Sequence, residues 1–442
     1  MTRTVGIVGA GITGLLLHRS LRVRGYETIV LEAAEEPGGV IRSRLVDSRV
    51  LETGPQRLRE TPAIRKLVAD LGLESDRIEA EDRPLYVYFD GALRTAPLSV
   101  SAALRTDLLS IRGKARVLLE PVLGGPTRAG ESVEEYLTRT FGSEFAVRFG
   151  GPLYAGLYGS DPATMPVEHS LARAIDRMGI DGSVLAWAAR RRLRGGSPPP
   201  IVSFRDGLQT LPAAIADQYP AGIRFGEPVS AITADGDGYR MRTDEANYAV
   251  DAAVLTVPAP VAAALVADLA PSASEALAAL TYNPLATVHL DARDVEGTAA
   301  GHTIPLGEGM LTRGVTWNGS LFERDTRNGI HTCFLGGAGR DPLRTWSDDE
   351  LGRRAREEFQ TVTGTTGAVL DVHRVQPGMP AYDRSWAALD RVELPADVHL
   401  CANYTARAGI PGRVRAAHEL AAELDDGSTG HDRSNESTRA RT

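Results

Sequence analysis

Lysine is almost missing from this chain: of 442 residues only Lys66 and Lys114 carry an ammonium group, and arginine supplies nearly all the positive charge. Cysteine is as scarce, with Cys333 and Cys401 alone, which excludes a disulfide framework. The nine histidines show no HxxxH spacing and no CxxC occurs, so the sequence offers no metal site. A formal net charge of −8 leaves no basic stripe of the kind that nucleic acid requires. No unbroken apolar run is long enough to cross a bilayer. The nearest, "AAVLTVPAPVAAALVADLA" at 252–270, is divided by Pro258 and Pro260 into strand, turn and helix, and Asp268 charges its end.

What remains is the composition of a soluble globular protein, 43% hydrophobic and 24% charged, long enough for two or three folding units. The two thiols read as core residues in a reducing, cytoplasmic setting. Met1 to Leu17 looks superficially like a signal peptide. Its glycines at 9, 11 and 14, followed by the strand-like "ETIVLE", fit a βαβ unit better.

That unit carries the first chemistry. "VGIVGAGITGLLLHRSLRVRGYETIVLEA" holds G-x-G-x-x-G at Gly9, Gly11 and Gly14, after a β-rich run and before an amphipathic helix, with Glu32 closing the next strand. Gly9 permits the turn, Gly11 lets the backbone approach a pyrophosphate, Gly14 lets helix and strand pack, and Glu32 accepts from a ribose hydroxyl. The second glycine pair, Gly38-Gly39 in "EAAEEPGGVIRS", selects FAD over NAD. No second G-x-G-x-x-G exists, so electrons must arrive from a bound substrate and leave to oxygen or another acceptor. Near the other end, "AGIPGRVRAAHEL" (408–420) opens a helix with Gly409, Ile410, Pro411 and Gly412. Its free N–H groups suit negative charge. In FAD enzymes of this arrangement such a helix points at the flavin N1–C2=O edge.

In order along the chain, "GGVIRS", "LETGPQRLRE", "EDRPLYVYFDGALRTAP", "LLSIRGKARVLLEP", "ESVEEYLTRTFGSEF", "GPLYAGLYGSDP", "FRDGLQTLP", "FLGGAG" and "QPGMPAYD" resemble the oxygen-dependent protoporphyrinogen/coproporphyrinogen oxidases, a branch of the flavin amine oxidase superfamily. The likeness runs from about residue 4 to 424. It implies an α/β fold, with a Rossmann-like FAD-binding domain (1–80, 200–261 and 396–425), an inserted α+β, mixed-sheet substrate domain (81–97 and 262–395) and an inserted helical domain (98–199) that faces the membrane in the family. The polar tail at 426–442 is expected to be disordered. The basic stretch "RRRLRGGSPPP" (190–200) reads as a loop connector, with acidic lipid headgroups as the alternative reading.

The resemblance further implies FAD contacts at Gly9, Ala10, Gly11, Ile12, Thr13 and Gly14; at Glu32 and Ala33; at Gly39, Val40 and Arg42; and at Gly54, Pro55, Gln56 and Arg57. Others fall on Val229, Asn403, Ala408, Gly409 and Ile410. Arg83 matches the arginine that anchors a substrate propionate, a role suited to a guanidinium fork; the plain alternative is a surface residue beside Asp82. Departures are Arg407, Gly412 and Arg413 around the last helix, and a shortened "EGTAAGHTIPLGEGM" (296–310).

Amine oxidases of the superfamily hold a water near flavin N5 with a lysine in the strand that here reads "YNPLATVHL", where Ala286 or Thr287 takes the place. The expected activity is oxidation of protoporphyrinogen IX to protoporphyrin IX in haem biosynthesis, with FAD as cofactor and oxygen as acceptor. The flavin carries the chemistry and no catalytic side chain is named. Coproporphyrinogen III oxidation, another FAD oxidase or desaturase with a bulky apolar substrate, and a flavin carrier without turnover are the alternatives. The expected partners are a tetrapyrrole and oxygen, with no nucleic acid. The location is cytoplasmic, with peripheral contact at the inner face of the membrane as a further option.

Overall fold

The computed structural model describes residues 3–325, 329–339, 342–405 and 409–427. Its first layer is a five-stranded, wholly parallel sheet in the order Ile223–Arg224, Glu27–Leu31, Thr4–Val8, Ala252–Leu255, Val398–Leu400. Every residue of Ala252–Leu255 is buried, the near-continuous apolar run expected of a parallel strand covered on both faces. The helices Ile12–Val23 and Ile410–Gly427 pack together over one face. An antiparallel meander, Ala231–Asp235, Gly238–Arg242 and Asn247–Val250, lies over the other. Its Met241 comes so near Gly6 that a Cβ there would meet Met241 Cε at 2.5 Å.

The second layer is a seven-stranded sheet in the order Ala368–Pro380, Tyr282–Asp291, Ile330–Gly336, Thr312–Thr316, Gly301–Thr303, Leu85–Phe89, Ala92–Thr95. Only the pairing of Leu85–Phe89 with Gly301–Thr303 is parallel, and it brings the early hairpin into a sheet built from the second half of the chain. The hairpin turns at Asp90-Gly91, both at positive φ, as a tight twisted connection requires. Helix Asp348–Thr363 covers the sheet. It starts at a Ser347–Glu350 capping box and stops at Gly364 in the left-handed region.

Between Val100 and Leu193 the chain is a set of short helices. Helix Val184–Leu193 runs through Arg190, Arg191 and Arg192, so the basic stretch read as a loop is helical in its first four residues. The correction has a local cause. Ser183 caps the helix by accepting from Ala186 N, and the buried Glu120 carboxylate accepts from the Val184 and Leu185 N–H groups. Among the described residues no helix is long and apolar enough to cross a membrane. The expected disordered tail falls almost wholly outside the described residues; Asp426 and Gly427 end the closing helix.

Candidate active site

Three loops meet over the carboxyl ends of the parallel strands. In the first, a Cβ on Gly14 would stand 2.0 Å from the Gly9 carbonyl oxygen, so only glycine lets the helix sit this close to the strand. Gly9 has φ +103°, and Thr256 Oγ1 donates to the carbonyls of Val8 and Gly9 at 2.8 and 3.1 Å. Gly11 differs: nothing lies within 4 Å of where its Cβ would be, and it heads helix Ile12–Val23 without a side-chain cap. The helix therefore offers bare N–H groups on an open face, the arrangement that receives a phosphate. Ile12 and Thr13 bury their side chains and present only backbone to that face.

Glu32 is set before any ligand arrives. Its two carboxylate oxygens accept from Ala10 N at 2.6 Å and Ala34 N at 2.9 Å. Each oxygen retains a lone pair for a ribose diol. Ala33 beside it is exposed. The segment with Val229 runs along this end, Gly226 N donating to Ala34 O and Glu227 N to Glu32 O.

The second loop docks on the first: Gly38 N donates to Ala10 O at 2.9 Å, and a Cβ on Gly39 would meet Gly11 Cα at 3.3 Å. Val40 stands 58% exposed on this loop, a large apolar side chain left mostly to solvent. The Arg42 guanidinium turns back on its own loop, to Gly39 O and Glu36.

The third loop, Gly54 to Arg57, leans on the second. Pro55 is half-buried. Gln56 spends its side chain on the protein, donating to the carbonyls of Glu52 and Gly54 and accepting at 3.0 Å from both Asn318 Nδ2 and Thr332 Oγ1. This node joins the nucleotide-binding layer to the seven-stranded sheet. The sequence does not single out Asn318 or Thr332, because a buried polar residue among apolar neighbours leaves no periodic trace. Arg57, next to Gln56, is half-buried, and its Nη1 is shielded from solvent without a hydrogen-bond partner among the described residues.

Strand Tyr282–Asp291 lies against the third loop. Thr287 Oγ1 donates to Thr53 O at 3.3 Å, and His289 Nε2 is 3.0 Å from Glu52 O. Thr287 is thus the residue of this strand that faces the loop, and Ala286 points the other way into the sheet's own core. Neither can hold a water as an ammonium would.

At the closing helix, Gly409 adopts φ +81° and its carbonyl accepts from Gly412 N and Arg413 N, while Ile410 is buried. Arg413 is not a loose charge: its guanidinium donates to the carbonyls of Ala402 and Asn403. The Asn403 side chain is exposed. Ala408 and Arg407 lie outside the described residues. Cys401 is buried in the core, where burial pushes its thiol up to about 11.

Arg83 sits apart from the cradle. Its Nε donates to Ser320 O at 3.3 Å and Nη2 is 3.9 Å from Glu81, leaving much of the fork open. Ser320 is two residues from Asn318, so the arginine is tied through one short helix, Asn318–Leu321, to the Gln56 node.

The residues fit FAD. Glycines whose Cβ would crowd the cradle, an uncapped helix start, a pre-set carboxylate and a guanidinium whose buried Nη1 has no partner among the described residues together match a dinucleotide with a ring that turns anionic on reduction. The profile of the family described as flavin containing amine oxidoreductase matches residues 12–424. The chloroplastic protoporphyrinogen oxidase of Oryza sativa subsp. japonica is 26% identical, over 95% of this chain and 88% of its own. The coproporphyrinogen III oxidase of Bacillus subtilis (strain 168) is 24% identical, over 86% and 87%. A crystal structure from Exiguobacterium sp. 255-15 shares the fold at TM-score 0.79 and 21% identity, with 96% of this chain and 99% of that one covered. Cyclohexylamine oxidase from Brevibacterium oxydans IH-35A shares it at 0.69 and 17%, with 97% and 100% covered. The chain belongs to the flavin-containing amine oxidoreductases and is an FAD-dependent oxidoreductase.

Proposed function

We propose that this protein oxidises protoporphyrinogen IX to protoporphyrin IX, with coproporphyrinogen III as the alternative substrate. The observation that carries the reading is the neutral, loop-facing Thr287 at the place where amine oxidases keep a lysine, together with relatives named for porphyrinogen oxidation across most of the chain. Bound FAD would accept a hydride at N5 in each of three two-electron steps and pass the electrons to oxygen, giving hydrogen peroxide.

The chain's own part is binding and orientation. Gly9 to Gly14 would hold the pyrophosphate, Glu32 the ribose, and Gly38 to Val40 and Gly54 to Arg57 the flavin side. Arg83 would pair with a substrate propionate through its open fork. Aromatisation drives the reaction, so no acid–base pair is required of the protein. The test is direct. Protein reconstituted with FAD, given a reduced porphyrinogen and oxygen, should produce porphyrin fluorescence faster than the spontaneous reaction; parallel assays with the dicarboxylate and tetracarboxylate decide the substrate. No acceleration with either would defeat the reading.

We further propose a peripheral membrane contact through the helical part. Ile111 (86% exposed), Leu118, Val122 (79%) and Leu193 (87%) put large apolar side chains into solvent. Leu193 closes the helix that carries Arg190, Arg191 and Arg192, and helix Glu120–Leu123, with Val122, packs against that helix. Apolar side chains beside guanidinium groups suit an anionic lipid surface.

A further inference from the structure

Among the described residues no carboxylate pairs with Arg57. Its Nη1 is sealed from solvent with no partner among the described residues, while the rest of the side chain keeps part of its surface accessible. Burial, then the positive charge of Arg59, brings its pKa down to about 10. A cation so placed is costly until an anion joins it. The other arginines around the cradle are committed: Arg42 to Gly39 O and Glu36, Arg324 to Glu52, and Arg413 to the carbonyls of Ala402 and Asn403.

The position of Arg57 selects the anion. The pyrophosphate is served at the uncapped helix start by Gly11. Arg57 lies at the other side of the cradle, between Gln56, which is tied to the seven-stranded sheet, and strand Leu58–Arg59, which packs on the closing helix. A reacting ring must reach this junction to meet a substrate held by that sheet.

We propose that Arg57 is the counter-charge for the negative charge that the isoalloxazine gains on taking up a hydride, and that it thereby sets the flavin's reduction potential. This rests on the FAD reading above. A hydride brings one proton and two electrons, so the neutral ring becomes a monoanion. A guanidinium beside the ring favours that form for the reason that an arginine favours an ionised carboxylate. The N-terminus of the closing helix acts in the same sense with a partial charge.

The experiment compares wild type with Arg57→Met, folding checked by circular dichroism. Arg57→Gln, also neutral, carries the same test if Met does not fold. The neutral variant is expected to bind FAD within a few-fold of wild type. Its midpoint potential should fall by at least one step of about 30 mV, the value of a tenfold change in a two-electron equilibrium. Sulfite, which adds at N5 to give an anionic adduct, should bind at least about tenfold more weakly, in keeping with that shift. Arg57→Lys should recover part of both. Unchanged potential and sulfite affinity in the neutral variant overturn the proposal. Weakened FAD binding with an unchanged potential also overturns it, because the guanidinium would then serve the pyrophosphate. Wild-type protein that takes up no FAD overturns the cofactor reading itself, and this is seen before any variant is made.

Discussion

Gly54 rests so close to Val40 that a Cβ on Gly54 would stand 1.8 Å from the Val40 carbonyl oxygen. The obstacle is backbone, so no rotamer change relieves it, and the second and third cradle loops must separate to admit a methyl group. Gly54→Ala is expected to cost about 1–3 kcal/mol of stability, as overpacking does, and to release flavin. The ratio of flavin to protein absorbance after gel filtration, with a urea melt beside it, measures both. Full flavin content in Gly54→Ala would show that the loops part without harm to the site.

One carboxylate, Glu32, holds Ala10 N and Ala34 N, and in the proposed site it would also take the ribose. Glu32→Gln keeps the size but loses one acceptor oxygen and the charge. FAD affinity should drop about tenfold or more, the weight of a charge-assisted hydrogen bond. Fluorescence titration of the apoprotein reads it, and affinity equal to wild type would remove Glu32 from the site.

Arg83→Ala should leave flavin content unchanged and raise KM for a porphyrinogen about tenfold, with a smaller change in kcat. Arg83→Lys should fall between. Flavin loss in the alanine variant would reassign the residue to the cofactor.

Two buried histidines give the fold an acid-side dependence. Trp317 Nε1 donates to His302 Nδ1 at 3.0 Å, so that nitrogen must stay unprotonated, and His331 Nδ1 meets Gly329 O at 2.8 Å. Burial pushes His302 down to about 3 and His331 down to about 4. The unfolded chain therefore takes up protons first as pH falls past the ordinary histidine value. Stability is full above about 6.5 and declines below it, by up to about 1.4 kcal/mol per pH unit for each group. Melting temperature between pH 7 and 5 should fall in wild type and fall less steeply in His302→Gln. Parallel slopes would assign the acid sensitivity elsewhere.

Ile111→Ser combined with Val122→Ser should reduce sedimentation with anionic vesicles severalfold and leave porphyrinogen oxidation in detergent unchanged. Vesicles of neutral lipid serve as the control for the arginines, whose contribution should weaken with added salt. Equal binding by the double variant would remove this face from the contact.

The nucleotide-binding half was legible because its signals are local. Glycines at fixed spacing, a strand on either side and an acidic residue at the second strand's end lie within the first 32 residues, and the Asp90-Gly91 turn announces its hairpin in the same way. What escaped depends on distance in sequence. Nothing in "PLYVYF" indicates that it will lie parallel to Gly301–Thr303, because strand periodicity carries no address. Gln56 could be read as a cofactor residue, but its commitment to Asn318 and Thr332 follows from tertiary packing alone. Arg57 in "GPQRLRE" is likewise an FAD contact by resemblance, but that its Nη1 lacks a partner among the described residues follows from tertiary packing alone. Glycine and proline downstream give Arg190 to Arg192 the look of a loop, whereas the distant Glu120 caps their helix.

The Gln56 node has a consequence for inhibition. One amide spans the loop proposed to hold the cofactor and the sheet proposed to receive the substrate, so on that reading tightening on either side is felt on the other, and equally in both directions. A compound lodged on the sheet side would slow the escape of flavin, and protein stripped of flavin would hold that compound more weakly by the same factor.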